Sequence, residues 1–375
     1  MKKNLLFIDD KIPHYDQAAG ARTSYMYLNL LVEMGLSVTF IGANFRDVEP
    51  YTTHLRSLGV KVLSGKWFQW TWRLWFLLFG RQFDYVFFNR PKPTKRFIGY
   101  VEKFSNAKIL YQCHDLHYLR LLRQYELDGK EETLEQSQKS ETLEIELIQK
   151  SDVFLTFSRY EKKIIERKMP GQCIEVIPLY FYDNLTQPIT DFSQRHGILY
   201  VGGFMHNPNV DAVLWFAREM FPEIKKCCPE IVFYIAGSHP PPEIKELAGK
   251  GIEVLGYVTE KELADLYSQV RLVVIPLRFG SGVKGKTVEA ILYSLPLVST
   301  SIGIEGIELE NIIPPTDNPK VFANRAVALY KDESALRECS TLLHDYALKN
   351  LTSSSAKAKM QEILNSLIYK ENESL

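Results

Sequence analysis

Short apolar runs alternating with longer stretches of helical periodicity, interrupted once and then resumed, constrain this 375-residue chain more than any other feature. The runs Asn4–Ile8, Ser37–Ile41, Lys61–Leu63, Asp84–Phe88, Lys108–Gln112, Asp152–Phe157 and Ile174–Ile177 are too short for buried helices and read as strands. Helices fill the intervals, among them a charged one from Lys130 to Lys150. A second series follows at Gly197–Val201, Ile231–Ala236, Glu253–Leu255, Arg271–Pro276 and Leu297–Thr300, and then gives way to helices. This alternation predicts the α/β class with parallel sheets covered on both faces, in two doubly wound, Rossmann-like domains facing across a cleft. Between the series, Pro178 to Arg195 carries Pro188 and several polar residues with little periodicity, which marks a boundary. The expected division is 1–188, 189–350 and a closing helical segment 351–375.

The length suits two domains that each bury a core of their own. Lys plus Arg and Asp plus Glu number 45 each, a balance that argues against a polyanion binder and so against nucleic acid as the main partner. The five cysteines are scattered without C-x-x-C spacing, which predicts reduced thiols, no zinc site and a cytoplasmic location. Met1-Lys2-Lys3 opens with charge, but the apolar run after it stops at Asp9-Asp10, too short for a signal peptide.

The stretch Pro276 to Ala290 carries the chemistry. Gly280, Gly282 and Gly285 separate the apolar run ending at Ile275 from a helical face of Val288, Ile291, Leu292 and Leu295. A glycine-rich turn from a strand into a helix start lets the backbone approach an anion, and Lys284 and Lys286 add countercharge. Glu289, about one turn into the helix, can accept two hydrogen bonds from a vicinal diol. Phosphate beside diol indicates a nucleotide. The competing reading is a structural turn, with Glu289 a solvated helix residue. The segment fits neither the P-loop nor the usual placement of the dinucleotide fingerprint. A further helix start is signalled at Asn207-Pro208, with Asn207 as cap, directly after Gly202-Gly203.

These residues resemble the two-domain GT-B glycosyltransferases, specifically the large retaining group called family 4, or glycosyltransferase group 1. Phe279 to Ala290 followed by Leu295-Pro296-Leu297-Val298-Ser299-Thr300 is similar to that family's nucleotide-binding loop, helix and strand. Tyr200 to Phe204 with Asn207-Pro208-Asn209 resembles the first strand and turn of its donor domain. Asp16 to Arg22 resembles its first-domain glycine loop, and Cys113-His114-Asp115 its strand-end histidine motif.

The resemblance implies that Glu289 binds the donor ribose, that Gly282, Val283 and Lys284 line its diphosphate with Lys286, Gly203 and Gly20 nearby, and that His114 faces the transferred sugar. Arg22 and Asp115 are candidates for acceptor or phosphate contact, with a surface role for Arg22 as the alternative. His117 pairing with His114 at a metal lacks a carboxylate-rich partner motif. Two departures stand out. Ser281 occupies the position of the first glutamate in the family's Glu-x7-Glu pair, and His206, Asn207 and Asn209 replace its basic clamp. The Gly303-Ile304-Glu305-Gly306 turn is either a cleft element or a plain tight turn.

The implied reaction moves a hexose or deoxyhexose from a nucleoside diphosphate sugar to a hydroxyl of a glycan or lipid-linked glycan, with retention, in polysaccharide or cell-surface glycan synthesis. Implied too are no cofactor, no metal, no protein nucleophile, and a last helix that crosses back to the first domain. A nucleotide-sugar 2-epimerase, an inverting transferase and a non-catalytic nucleotide-sugar or glycan-binding module are the alternatives.

Trp67 to Phe79 holds four of the five tryptophans between Lys66 and Arg81. It is short of the roughly 20 apolar residues that span a bilayer. Two readings stand: peripheral membrane contact at the inner face of the plasma membrane, and a core helix apolar all round because it is covered all round.

Overall fold

The computed structural model describes residues 2–372, with side chains to residue 367. Met1 of the charged opening and residues 373–375 of the closing segment lie outside the described residues. Among the described residues, twelve strands fall where the apolar runs predict them. Seven form one parallel sheet: β1 (Asn4–Asp9), β2 (Ser37–Gly42), β3 (Lys61–Leu63), β4 (Tyr85–Asn89), β5 (Lys108–Gln112), β6 (Val153–Thr156) and β7 (Ile174–Val176), in the order β3-β2-β1-β4-β5-β6-β7. The other five are β8 (Ile198–Val201), β9 (Phe233–Ala236), β10 (Ile252–Gly256), β11 (Leu272–Ile275) and β12 (Leu297–Ser299), in the order β10-β9-β8-β11-β12. The central strands are apolar along their length because helices cover both sheet faces. In β1 the residues from Leu5 to Asp9 are all buried. Phe7 sits in register with Phe40 of β2 and Phe87 of β4, and the ring of Phe7 stacks on that of Phe87 at 4.7 Å, so one aromatic row ties the sheet centre across three strands.

The chain divides into two compact units: unit 1 runs to Phe181 and resumes at Ser353, and unit 2 is Tyr182–Thr352. The Ser353–Asn372 helix belongs to unit 1 because Met360, Ile363, Leu364 and Leu367 repeat at helical spacing and are buried. Lys359 reinforces this with an ion pair to Glu175 at 2.8 Å.

The tryptophan-rich helix, Gly65–Phe79, corrects one expectation. It buries only one face, Phe68, Trp72 and Phe76, while Trp67 and Trp70 are 82% and 83% exposed. It is not a helix covered all round. Its buried face packs on the Pro91–Phe104 helix, with Trp72 against Phe97 and Tyr100 at 4.9 and 4.6 Å, and no element among the described residues covers the opposite face.

Candidate functional site

In doubly wound sheets, ligands bind outside the carboxyl ends of the strands where the strand order reverses. In unit 2 the reversal lies between β8 and β11, so the turn after Val201 and the glycine loop after Ile275 flank one crevice. Gly280 (φ +145°) and Gly282 (φ +66°) take backbone angles that a side chain disfavours, whereas Gly285 opens the Gly285–Leu292 helix with ordinary geometry. The loop is pinned from below. Thr300 Oγ1 donates to the Leu277 carbonyl at 2.6 Å, and Thr287 Oγ1 to the Gly303 carbonyl at 2.7 Å. A Cβ at Gly303 would lie 2.1 Å from Ser299 Oγ and 2.8 Å from the Ile275 carbonyl oxygen. The Gly303 turn is therefore the floor of the loop.

The charged residues divide by role. Lys284 curls back and donates from its ammonium to the carbonyls of Ser281, at 3.1 Å, and Gly282. Lys286 reaches across the crevice, donating to Tyr200 Oη at 2.7 Å and Asn209 Oδ1 at 2.6 Å. Asn209 in turn donates to the Gly203 carbonyl at 2.7 Å, so one polar chain joins both crevice loops. A Cβ at Gly202 would lie 2.8 Å from the Lys286 ammonium, so glycine there lets that charge sit against the turn. Burial, then the nearby Lys284 charge, lowers the Lys286 pKa to about 7, with Glu289 opposing. Glu289 is half-buried in the first turns of the helix, and its Oε2 accepts from Tyr267 Oη at 3.3 Å. Tyr267 stacks on Tyr293 at 4.5 Å, which orients that hydroxyl. Ser281 is buried in the loop, and Val283 is half-buried beside it.

The helix after Gly203 starts one residue earlier than the sequence signal placed it. His206 is the cap of Asn207–Trp215, without a side-chain cap bond, so Asn207 is not the cap. Asn209 is the functional polar residue of this turn, because its carboxamide is taken up by Tyr200, Lys286 and Gly203.

Unit 1 has its own reversal, between β1 and β4. Asp9, buried at the end of β1, accepts from Ser24 Oγ at 2.7 Å, Asn89 Nδ2 at 2.9 Å and Arg90 Nε at 2.8 Å. Held by that bond, the two terminal nitrogens of Arg90 point at Gly20, where a Cβ would meet them at 3.2 and 3.3 Å. His114 Cε1 would lie 3.3 Å from the same Cβ. Gly20, Arg90 and His114 thus close around one point. Arg90 (φ +74°) and His114 (φ +64°) both hold left-handed backbone angles that are uncommon for side-chain-bearing residues. Burial, and then the Arg90 charge, lowers the His114 pKa to about 3, so its ring is neutral at physiological pH. Its buried Nε2 has no hydrogen-bond partner among the described residues.

Asp115 pairs with Arg120 and, at 3.3 Å, with His117. Burial disfavours a proton on His117, but the Asp115 hydrogen bond and charge outweigh it and raise the pKa. Glu144, buried behind, accepts the His117 and Tyr118 amides at 2.9 and 3.3 Å, and burial lifts its carboxyl to about 7. A cavity of about 290 Å³ opens here, lined by Asp10, Arg90, Lys92, His117 and Glu144 among others. Arg22 lies 5.9 Å from the Tyr180 ring. Asp9, Asn89, Arg90 and Glu144 were not singled out from the sequence. The signal for the first three was a polar residue closing an apolar strand, the position that opens onto a doubly wound crevice.

Residues 195–332 match the family described as "Glycosyl transferases group 1". The match covers the whole crevice of unit 2. Among curated proteins, an "Uncharacterized 44.6 kDa protein in cps region" of Klebsiella pneumoniae is 26% identical over 185 residues, which is 47% of this chain and 45% of that protein. The aligned region is thus under half the length of that relative. Sucrose-phosphate synthase from Thermosynechococcus elongatus superposes with a TM-score of 0.75 at 13% identity, covering 98% of this chain and 100% of its own. Anabaena HepE, solved with UDP and glucose, does so at 0.68 and 14%, covering 97% and 100%. The pneumococcal O-GlcNAc transferase GtfA, solved with UDP and GlcNAc, does so at 0.69 and 11%, covering 98% and 100%. The fold is GT-B.

Proposed function

We propose that this chain is a retaining glycosyltransferase that moves a hexose or deoxyhexose from a nucleoside diphosphate sugar to a hydroxyl of a glycan or lipid-linked glycan in the cytoplasm, in polysaccharide or cell-surface glycan synthesis. The observation that carries the reading is the unit 2 crevice: a glycine loop at the strand-order reversal, two lysines, and Glu289 oriented by Tyr267. The family match lies on the same residues. Structural neighbours solved with UDP make UDP the first nucleotide to test, and the relative from a cps region favours a polysaccharide role.

In this reading Glu289 accepts the ribose hydroxyls while the loop amides, Lys284 and Lys286 face the diphosphate. Bond cleavage builds charge on the leaving diphosphate, so groups already aimed at it stabilise the transition state more than the ground state. Lys284 has to leave the Ser281 and Gly282 carbonyls to do so, and those carbonyls hold its charge close by until then. His114, neutral and with Nε2 open to a partner, suits hydrogen bonding to a sugar hydroxyl rather than countercharge. Proton removal from the acceptor is left to the departing phosphate, with no protein nucleophile and no metal.

The test is transfer from UDP-sugars to a panel of glycan acceptors, with the anomeric configuration of the product read by NMR. Transfer with retention, lost in Glu289→Ala, is expected. An inverted product would leave the donor site but remove the mechanism. UDP binding without transfer or donor hydrolysis would favour the binding-module reading.

A further inference from the structure

The uncovered face of the Gly65–Phe79 helix lies outside both strand-order reversals described above. Trp67, Trp70, Leu74, Leu77 and Leu78 recur along one side of that helix, all more than half exposed, and form a continuous apolar stripe opposite the buried Phe68, Trp72 and Phe76. Scattered exposed apolar residues are ordinary, but a row of this kind with two nearly bare indoles marks a contact surface.

The charge around it selects the partner. The whole chain is balanced at 45 cations and 45 carboxylates, yet residues 61–104 hold nine Lys and Arg against two carboxylates, Asp84 and Glu102. From Lys61 to Phe83 there is no carboxylate at all. Asp84 is itself paired with Lys3 at 2.7 Å. Lys66 and Arg73 flank the stripe on the same helix, with Arg73 held by the Tyr100 hydroxyl at 2.9 Å. The Pro91–Phe104 helix packed alongside adds the exposed Lys95 and Lys103. Indoles and leucines in a basic surround complement an interface with anionic headgroups, where the apolar stripe enters the acyl boundary and the cations stay among phosphates. A second copy of the chain seated here by two-fold symmetry would bring two such basic surrounds together. No helix among the described residues is long and apolar enough to cross a membrane, so the contact is one that lies on the surface.

We infer that unit 1 docks on anionic lipid bilayers through this face, with Trp67 and Trp70 as the inserting side chains. Docking does not depend on the transfer reading, since vesicle binding is measured without donor or acceptor. The experiment is co-sedimentation of the full chain with phosphatidylcholine vesicles, with and without phosphatidylglycerol, at low and high salt, with tryptophan emission as a second readout. The chain should pellet with the anionic vesicles, less so at high salt, with a blue-shifted emission. Trp67→Ser with Trp70→Ser should lower the partition coefficient by at least about tenfold. Its thermal midpoint should stay unchanged, because both side chains are exposed. Leu74→Gln with Leu77→Gln should act in the same direction and serves as the second variant if the first misfolds. Absence of binding to anionic vesicles, or binding unaffected by both variants, would overturn the inference. So would a vesicle-free dimer that both variants dissolve, because the face would then belong to a second copy.

Discussion

In the proposed function, the lowered pKa of Lys286 couples nucleotide binding to proton uptake. With Lys286 at about 7, roughly nine-tenths of the ligand-free protein holds it neutral at about pH 8. At that pH a nucleoside diphosphate is fully ionised, since its own second phosphate pKa is about 6. A diphosphate seated in the crevice restores the ammonium, so UDP binding at about pH 8 should take up close to 0.9 proton, and affinity should fall by up to about tenfold per pH unit above 7. Titration calorimetry in buffers of different ionisation enthalpy reads the uptake directly. Lys286→Met should abolish it. Lys284→Ala should reduce it, because removing the neighbouring charge lets Lys286 keep more of its proton in the free state. The sign for stability is the reverse of a paired lysine. A lowered folded-state pKa contributes stability above the unfolded value near 10.4, and that contribution is lost as pH falls through about 7. Ligand-free Lys286→Met should therefore gain stability over the native chain as pH is lowered. Buffer-independent binding heats, or an uptake unchanged in Lys286→Met, would refute the placement of this ammonium beside the diphosphate.

Glu289→Ala should weaken UDP binding by roughly 100-fold or more, the loss of two hydrogen bonds to a charged acceptor, while 2′-deoxy-UDP should lose much less on the same substitution. Isothermal titration of the four combinations settles this, and equal losses for both nucleotides would remove the diol role. Gly303→Ala should cost about 1–3 kcal/mol in urea unfolding, because the added Cβ meets Ser299 Oγ at 2.1 Å and the Ile275 carbonyl at 2.8 Å and one of them must move. His114→Ala should reduce transfer by about 10- to 100-fold with UDP affinity unchanged, as expected for a group that meets the sugar and not the nucleotide. Glu144, raised by burial to about 7, contributes stability below its unfolded pKa near 4.3 that is lost as pH rises toward 7. Glu144→Gln should accordingly show a flatter stability profile between those limits in denaturant titrations.

Strand positions and sheet type were legible in the sequence because a strand buried on both faces must be apolar along its length. The run from Leu5 to Ile8 is such a strand. The glycine loop was legible for a similar local reason: glycine is favoured at the positive backbone angles of Gly280 and Gly282, so the turn announces itself. Partnerships were not. That Lys286 lies between Tyr200 and Asn209 while Lys284 rests on its own loop depends on β8 lying beside β11. Arg90 aims at Gly20 and His114 because β4 inserts next to β1 and Asp9 holds its guanidinium, an arrangement between residues far apart in the chain. The tryptophan helix is the clearest case. Its composition alone is compatible with burial on every side and with a one-faced surface helix, because apolar residues occur all round it. Local sequence thus determined element type and the candidate nucleotide loop, which rest on backbone conformation and periodicity. Only the tertiary structure decided which charges pair and which face stays bare, because both depend on what lies across the sheet.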